Sequence, residues 1–335
     1  MNKICLSVDI GSKNIVIADK ESTSIISEPS VVATANLNSK FENVAAGAEA
    51  LRYIANSSNN AQLIYPIKNG SVDNEVAFVY LIKTLINNIA PRKFLKNYVS
   101  VIANVSCGLT NIEKRVIEEA FYKAGVKEVV IVESPLSVKA INNDKAMFLV
   151  NIGSSNTEIA IVTDEGIVNG CSINVGGDDI DYAIIDYISD KYKLVINKTS
   201  SEDIKLGLAN LEENDLSTII IKGKAVLQNT KNEVKLTATE LRPLVQNSID
   251  KIVEVVAQVC MMIPKAHLHI IEQNGIYLCG GGSKLSGLAN YLKERLFVDI
   301  KIMDEPEFAV AVGGSKFFFD KGKLARMLNI DNLNW

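Results

Sequence analysis

Hydrophobic residues follow two periods along this chain, and the two periods alternate. Near-continuous apolar runs at 4–10, 99–105, 128–132, 147–152 and 275–279 have the length and composition of strands. Between them, residues 72–89 and 249–262 carry apolar side chains at helical spacing. Residues 182–192 repeat that pattern, and 111–124 open on the Asn, Lys/Arg and Glu-rich turn of a helix start. The span 249–262 is apolar around most of its circumference, which predicts a largely buried helix. Strands alternating with helices in this way indicate an α/β chain with mixed sheets. Two stretches break the alternation: 33–65, rich in Asn and Ser in its second half, and 194–234, with charge clusters and the hairpin-like IIIKGKAVLQNTKNEVKL. Both read as insertions.

One short pattern occurs twice. Residues 8–19 read VDIGSKNIVIAD and 150–164 read VNIGSSNTEIAIVTD. In each, a strand ends in a polar residue, Gly and small hydroxyl or amide residues turn the chain, and alternation resumes. Glycine lets a backbone approach a ligand closely, and successive N–H groups with Ser or Asn side chains form an anion-binding concavity, so such turns suit phosphate. Gly and Asn are also ordinary hairpin-turn residues. Repetition at about half the chain length favours a site over two plain hairpins and implies two similar lobes, with one insertion in each.

A third glycine cluster, 278–288 (LCGGGSKLSGL), follows strand 275–279 and precedes the helix-like ANYLKERL, a setting in which a nucleotide meets backbone. It has neither the G-x-G-x-x-G spacing nor the Walker ending. A fourth, 175–181 (VGGDDID), stands before the helical pattern of 182–192, where Asp178 or Asp179 serves as a plain N-cap or helps to hold a metal.

Composition narrows the class without selecting a function. The 335 residues carry 35 basic and 39 acidic side chains, net −4, with 47% apolar residues, which excludes a disordered chain and suggests two domains. Five scattered cysteines without a C-x-x-C pair, and His267 and His269 as the only histidines, argue against a zinc site or a disulfide framework. Charged residues interrupt the N-terminus before a signal-peptide core forms, and the longest apolar stretch, 252–263, contains Glu254 and Gln258. The expectation is a cytoplasmic protein without a transmembrane helix. Without a basic run, no nucleic-acid partner is expected.

Taken in order, these motifs resemble the actin/Hsp70/sugar-kinase superfamily and, within it, the bacterial actin (MreB) family, over essentially the whole chain. Residues 9–14 (DIGSKN) and 151–162 (NIGSSNTEIAIV) look like the two phosphate loops, and 172–196 is similar to the stretch that follows the second. Residues 200–208 (SSEDIKLGL) match a Glu-x-x-Lys helix placed against adenosine, 275–288 resembles the adenosine motif, and 305–318 the closing helix.

The resemblance implies an actin-like two-lobed ATPase fold, each lobe a mixed sheet with helices and a smaller inserted subdomain. Residues 1–32, 66–138 and 305–335 would form subdomain IA, 33–65 IB, 139–179 and 239–304 IIA, and 180–238 IIB. It implies ATP or ADP with Mg2+ in the cleft, Asp9 holding the metal through water and Asp178 as a further metal candidate. Phosphates would be held by Ser12, Lys13 and Asn14 on one side, and by Gly153, Ser154, Ser155 and Asn156 with Gly177 on the other. Glu202 and Lys205 would contact adenosine, although the two also read as an exposed i,i+3 helix pair. The base would lie against Gly281 and Gly282, beside Ser283 and Lys284. The family assembles head to tail into nucleotide-dependent filaments, so the implied partners are further copies of the chain in paired protofilaments, other MreB paralogues and the inner membrane surface. The implied role is cell shape or motility.

Two residues depart from the family pattern. Ser134, in VESPLS, stands where relatives carry the glutamate that orients or activates the attacking water, and serine is too short and too weak a base to replace it. Glu133 is one residue out of register. Asn151 opens the second loop where the family has Asp, and an amide supplies no charge. Each loss falls where removing a general base costs roughly 10²–10⁴-fold, so the expectation is retained nucleotide binding and a weak ATPase at most. Phe94 and Leu95, flanked by Arg92, Lys93 and Lys96, form either a small membrane-inserting loop or a loop folded back on the core. The competing functions are a non-polymerising membrane adaptor of the FtsA or PilM type and a phosphotransferase, which would need the carboxylate missing at 134 and 151.

Overall fold

The computed structural model describes residues 3–37, 40–57, 61–90, 98–225 and 231–331. The chain gathers into two compact units, Met1–Leu149 with Ala160–Ser172 and Glu307–Trp335, and Val150–Ile159 with Ile173–Pro306.

The first unit is built on a five-stranded sheet in the order Glu128–Glu133, Tyr98–Val105, Lys3–Ile10, Asn14–Asp19, Ile25–Pro29. The first three strands run parallel, and the last two return as antiparallel hairpins. Buried on both faces, the central strands read as the near-continuous apolar runs of the sequence. Helices Glu75–Ile89 and Asn111–Ala124 cover one face, where Phe78 and Phe121 meet edge to face at 6.3 Å. The helix expected from residue 72 starts later, because Asn74 accepts from the Ala77 N–H as N-cap and Ser71–Val72 pair with Ile67–Lys68 as a short hairpin. Asn111–Ala124 has the Thr110/Glu113 capping box and a left-handed Gly125 at its end. Helices Ser134–Ala140 and Ala309–Lys316 pack on each other. Beneath them Asn104, fully buried, donates to Ser7 Oγ and Val8 O and accepts from Ser137 Oγ, which satisfies every buried polar group of that triad. Residues 33–65 fold largely as a three-stranded antiparallel sheet, Lys40–Ala46, Val32–Leu37, Ala61–Ile64, with helix Ala48–Asn56.

A second five-stranded sheet has the order Gly166–Ile173, Thr157–Thr163, Ala146–Ile152, Ile276–Cys279, Ile300–Ile302. In the second unit, helix Gly177–Tyr192 leads into the other insertion: helix Lys198–Leu208 and a small sheet, Leu194–Val195, Thr218–Ala225, Lys231–Thr237. The hairpin read at 219–236 is present in the register Thr218↔Thr237 to Lys224↔Lys231. The helix read at 249–262 is the second half of Ala238–Met261, but it is not largely buried as expected: only the face of Ile249, Ile252, Val256 and Val259 is covered, and Met261 is exposed. The first half of Ala238–Met261 starts at a Thr237/Glu240 capping box and continues the same buried stripe through Ala238, Leu241 and Val245. Among the described residues no helix is long and apolar enough to cross a membrane.

Candidate functional site

The first loop, Gly11 to Asn14, closes the hairpin between Lys3–Ile10 and Asn14–Asp19. A Cβ at Gly11 would stand 2.5 Å from Asn14 O, so the turn is tight enough to require glycine. Ser30, 1% exposed, supports the loop from below: its Oγ donates to Gly11 O at 2.6 Å and its N–H to Lys13 O at 2.8 Å. Sequence reading missed Ser30, which lies in a separate strand connection and has no local signature. Gly70 N–H reaches Ser12 Oγ at 3.5 Å, from a turn in which Asn69 and Gly70 both have positive φ. Lys13 is exposed, and Asp9, half-buried near the end of its strand, stands in register between Val16 and Asn104.

The second loop has the same closure. Gly153 N–H donates to Asn156 O at 2.9 Å, and a Cβ at Gly153 would lie 3.0 Å from that oxygen. Two further glycine clusters converge on it within the same unit. Gly176 lies against Ser154 O, where a Cβ would come to 2.5 Å, and the N–H groups of Gly177 and Asp178 donate to Gly153 O and Ser154 O at 3.1 and 2.7 Å. Gly280, at φ +79°, and Gly282 press against Ile152. These glycines therefore serve an approach of backbone to the protein's own second loop. Gly281 alone of that cluster faces open space. Ser283 is buried and its Oγ is returned to Gly280 O at 2.7 Å, so it closes its own turn; Lys284 follows as the last residue of the same 3-10 turn.

The carboxylates of the fourth cluster have separate duties. Asp179 accepts from the Gly176 N–H at 2.8 Å and secures the helix start, whereas Asp178 pairs with Lys198 at 2.8 Å. Asp181, not singled out in the sequence, is 1% exposed. Burial pushes its carboxyl above the usual range against the opposing pull of Lys205, which reaches Oδ2 at 2.7 Å. Lys205 also donates to Gly177 O at 2.9 Å, and Glu202 lies half-buried one turn earlier on the same helix.

The two positions expected to depart from the family pattern, Ser134 and Asn151, sit in finished hydrogen-bond arrangements. Ser134 is 3% exposed and its Oγ donates to Val105 O at 2.9 Å. Glu133 ends a strand, where its carboxylate pairs with Lys114 at 2.5 Å and accepts from Gly108 N–H at 3.3 Å. Asn151 Nδ2 donates to Glu158 Oε2 at 2.6 Å, and Glu158 is itself buried. Asn151 and Glu158 lie on the two strands of the second hairpin, at the offsets from the turn glycine at which Asp9 and Val16 pair in the first.

Among the described residues no three His, Cys, Asp or Glu side chains form a metal cage. Mg2+ keeps several waters and takes its remaining oxygens from one or two carboxylates and substrate phosphates, so a single carboxylate of the Asp9 kind fits it. Phe94 and Leu95 lie outside the described residues.

The family model for MreB/Mbl protein matches residues 3–326. The chain is 29% identical over 328 residues to the cell shape-determining protein Mbl of Bacillus subtilis (strain 168), across 96% of this chain and 97% of the relative. The crystal structure of MreB 5 of Spiroplasma citri bound to AMPPNP is similar at TM-score 0.84 and 23% identity, over 98% of this chain and 99% of that one. The MamK double helical filament is similar at TM-score 0.80 and 17% identity, over 95% and 99%. At these identities the likeness shows the fold, the actin-like α/β architecture. Matched along nearly its whole length, the chain belongs to the MreB/Mbl family.

Proposed function

We propose that this chain is a cytoskeletal filament protein for cell shape or motility that binds an adenine nucleotide with Mg2+ and hydrolyses it slowly. The observation that carries the reading is the pair of Gly-Ser-x-Asn loops, one in each unit, each turning tightly enough that a Cβ on its glycine would crowd the carbonyl of its asparagine. Tight loops of this kind present successive N–H groups to an anion. The neighbours lend support of three kinds: Mbl is named for cell shape, MreB 5 was crystallised with AMPPNP, and MamK forms a double helical filament. Ser12, Lys13 and Asn14 with Gly153, Ser154, Ser155 and Asn156 are assigned to phosphates, Asp9 to the metal through water, and Glu202 and Gly281 to adenosine.

Slow hydrolysis rests on the groups at 133, 134 and 151. Ser134 Oγ spends its proton on Val105 O, Glu133 is held by Lys114, and Asn151 carries no charge. The test is nucleotide-dependent sedimentation paired with phosphate release in one sample, for the wild type, Ser134→Glu and Asn151→Asp. Pelleting with ATP and release rising by about 10²-fold in a variant are expected. Equal release in all three would sink the hydrolysis reading, and dispersed protein at every nucleotide concentration the filament reading.

We further assign the chain to the inner face of the cell membrane, through Phe94 and Leu95 and their basic neighbours. Unchanged pelleting of a Phe94→Ser/Leu95→Ser variant with liposomes would remove that contact.

A further inference from the structure

Helix Lys198–Leu208 is fastened to helix Gly177–Tyr192 along one face. Ser201 Oγ, fully buried, donates to Asp181 O at 2.7 Å. One turn on, Lys205 Nζ donates to Asp181 Oδ2 at 2.7 Å and Gly177 O at 2.9 Å. Asp181 is 1% exposed, and its second oxygen, Oδ1, has no hydrogen-bond partner among the described residues. A buried carboxylate with one satisfied oxygen depends heavily on the cation beside it, so withdrawal of Lys205 toward a ligand would strand that charge.

The carbonyl that receives Lys205 belongs to the same peptide group as the Asp178 N–H, and that N–H donates to Ser154 O at 2.7 Å in the second loop. A cation on one end of a peptide group polarises it and strengthens the bond given by its other end. Polar contacts therefore run without a break from Lys205 through the 177–178 peptide into the loop assigned to phosphate.

We propose that Lys205 is a positioning residue: with Asp181 as its buried counter-ion, it fixes the 177–178 peptide that holds the second phosphate loop and does not contact adenosine. The inference rests on the nucleotide reading of that loop.

The test measures binding of ADP and of inorganic pyrophosphate, each with Mg2+, to the full chain and to Lys205→Met, Asp181→Asn, Lys205→Arg and the Lys205→Met/Asp181→Asn double variant. Lys205→Met is expected to weaken both probes alike, by about tenfold. Asp181→Asn is expected to weaken both as well, although its side chain is too buried to touch a ligand. Lys205→Arg, which keeps a cation, recovers part of the pyrophosphate affinity. The double variant is expected to be folded and to bind better than Lys205→Met, since no carboxylate is left stranded. Loss of ADP affinity with pyrophosphate unchanged in Lys205→Met, or an Asp181→Asn variant that binds as the wild type does, would overturn the proposal and leave the nucleotide reading standing. A wild-type chain that binds neither probe would overturn both.

Discussion

Helix Ser134–Ala140 carries a buried cation near its end. Lys139 has a side chain 1% exposed, paired with Asp164 Oδ1 at 2.8 Å and with Asn142 O at 3.2 Å. Asp164 is 53% exposed and has Lys323 as a second cation at 3.4 Å. The pair is therefore asymmetric, and its two halves have different consequences when removed. Asp164→Ala leaves an ammonium in the interior with one carbonyl acceptor. Breaking a buried pair from one side costs about 3–5 kcal/mol, and water entering from the exposed Asp164 side places this case near 3 kcal/mol. Lys139→Met removes the buried charge itself, keeps the volume, and returns Asp164 to water and Lys323. Loss of the charge-assisted bond is then offset by the desolvation no longer required, for a net cost of about 1 kcal/mol or less. The double variant should resemble Lys139→Met, a coupling of about 3 kcal/mol. Urea unfolding of the three variants reads these values directly. A Lys139→Met variant as damaged as Asp164→Ala, or additive costs in the double, would refute the reasoning. The pH dependence follows from the same geometry. Burial works to raise the Asp164 carboxyl, but Lys139 and then Lys323 hold it below its ordinary 3.8. A depressed acid stabilises the fold above its unfolded value, so this contribution is complete above pH 3.8 and is lost as pH falls through the lower folded value.

Three further outcomes are expected. Gly280→Ala places a methyl at φ +79° against Ile152 and Asn151, so left-handed strain and overpacking together should lower urea stability by about 2–4 kcal/mol. Gly281→Ala, with open space at its Cβ, should stay within about 0.5 kcal/mol while weakening ADP binding if the base lies there, and unchanged affinity would remove Gly281 from the site. Glu240 is the hub of the Tyr187, Lys191 and Tyr192 cluster: burial alone would raise its carboxyl, but hydrogen bonds from Lys191, Tyr192 and Thr237 bring it down to about 2. Its contribution is present above its ordinary 4.5 and lost as pH falls toward 2, so the melting difference between wild type and Glu240→Gln should shrink across that window, and a constant difference would argue against it.

The elements and the two loops were legible in the sequence because both depend on local periodicity. Residues 99–105 and 147–152 alternate or run apolar whatever surrounds them, Asn111–Ala124 announces itself by the Asn, Lys/Arg and Glu-rich turn at its start, and Gly-Ser-x-Asn makes the same tight turn at 11 and at 153. Element edges were less legible. Helix Ala238–Met261 starts well before the apolar span read at 249–262, although its Thr237/Glu240 capping box and Ala238, Leu241 and Val245 carry the signal locally, and the helix near residue 72 yields to an Asn74 cap.

What tertiary structure alone decided is which polar atoms are already spent. Ser30 under the first loop and Asp181 opposite Lys205 are separated in sequence from the groups they serve, and no spacing rule joins them. The glycines at 176, 280 and 282 are also required by packing within the protein, since a Cβ at each would meet Ile152, Gly153 or Ser154. A sequence lists donors, acceptors and turns that local chemistry prefers. Burial then requires each interior polar group to find a partner, and long-range packing determines which partner it finds.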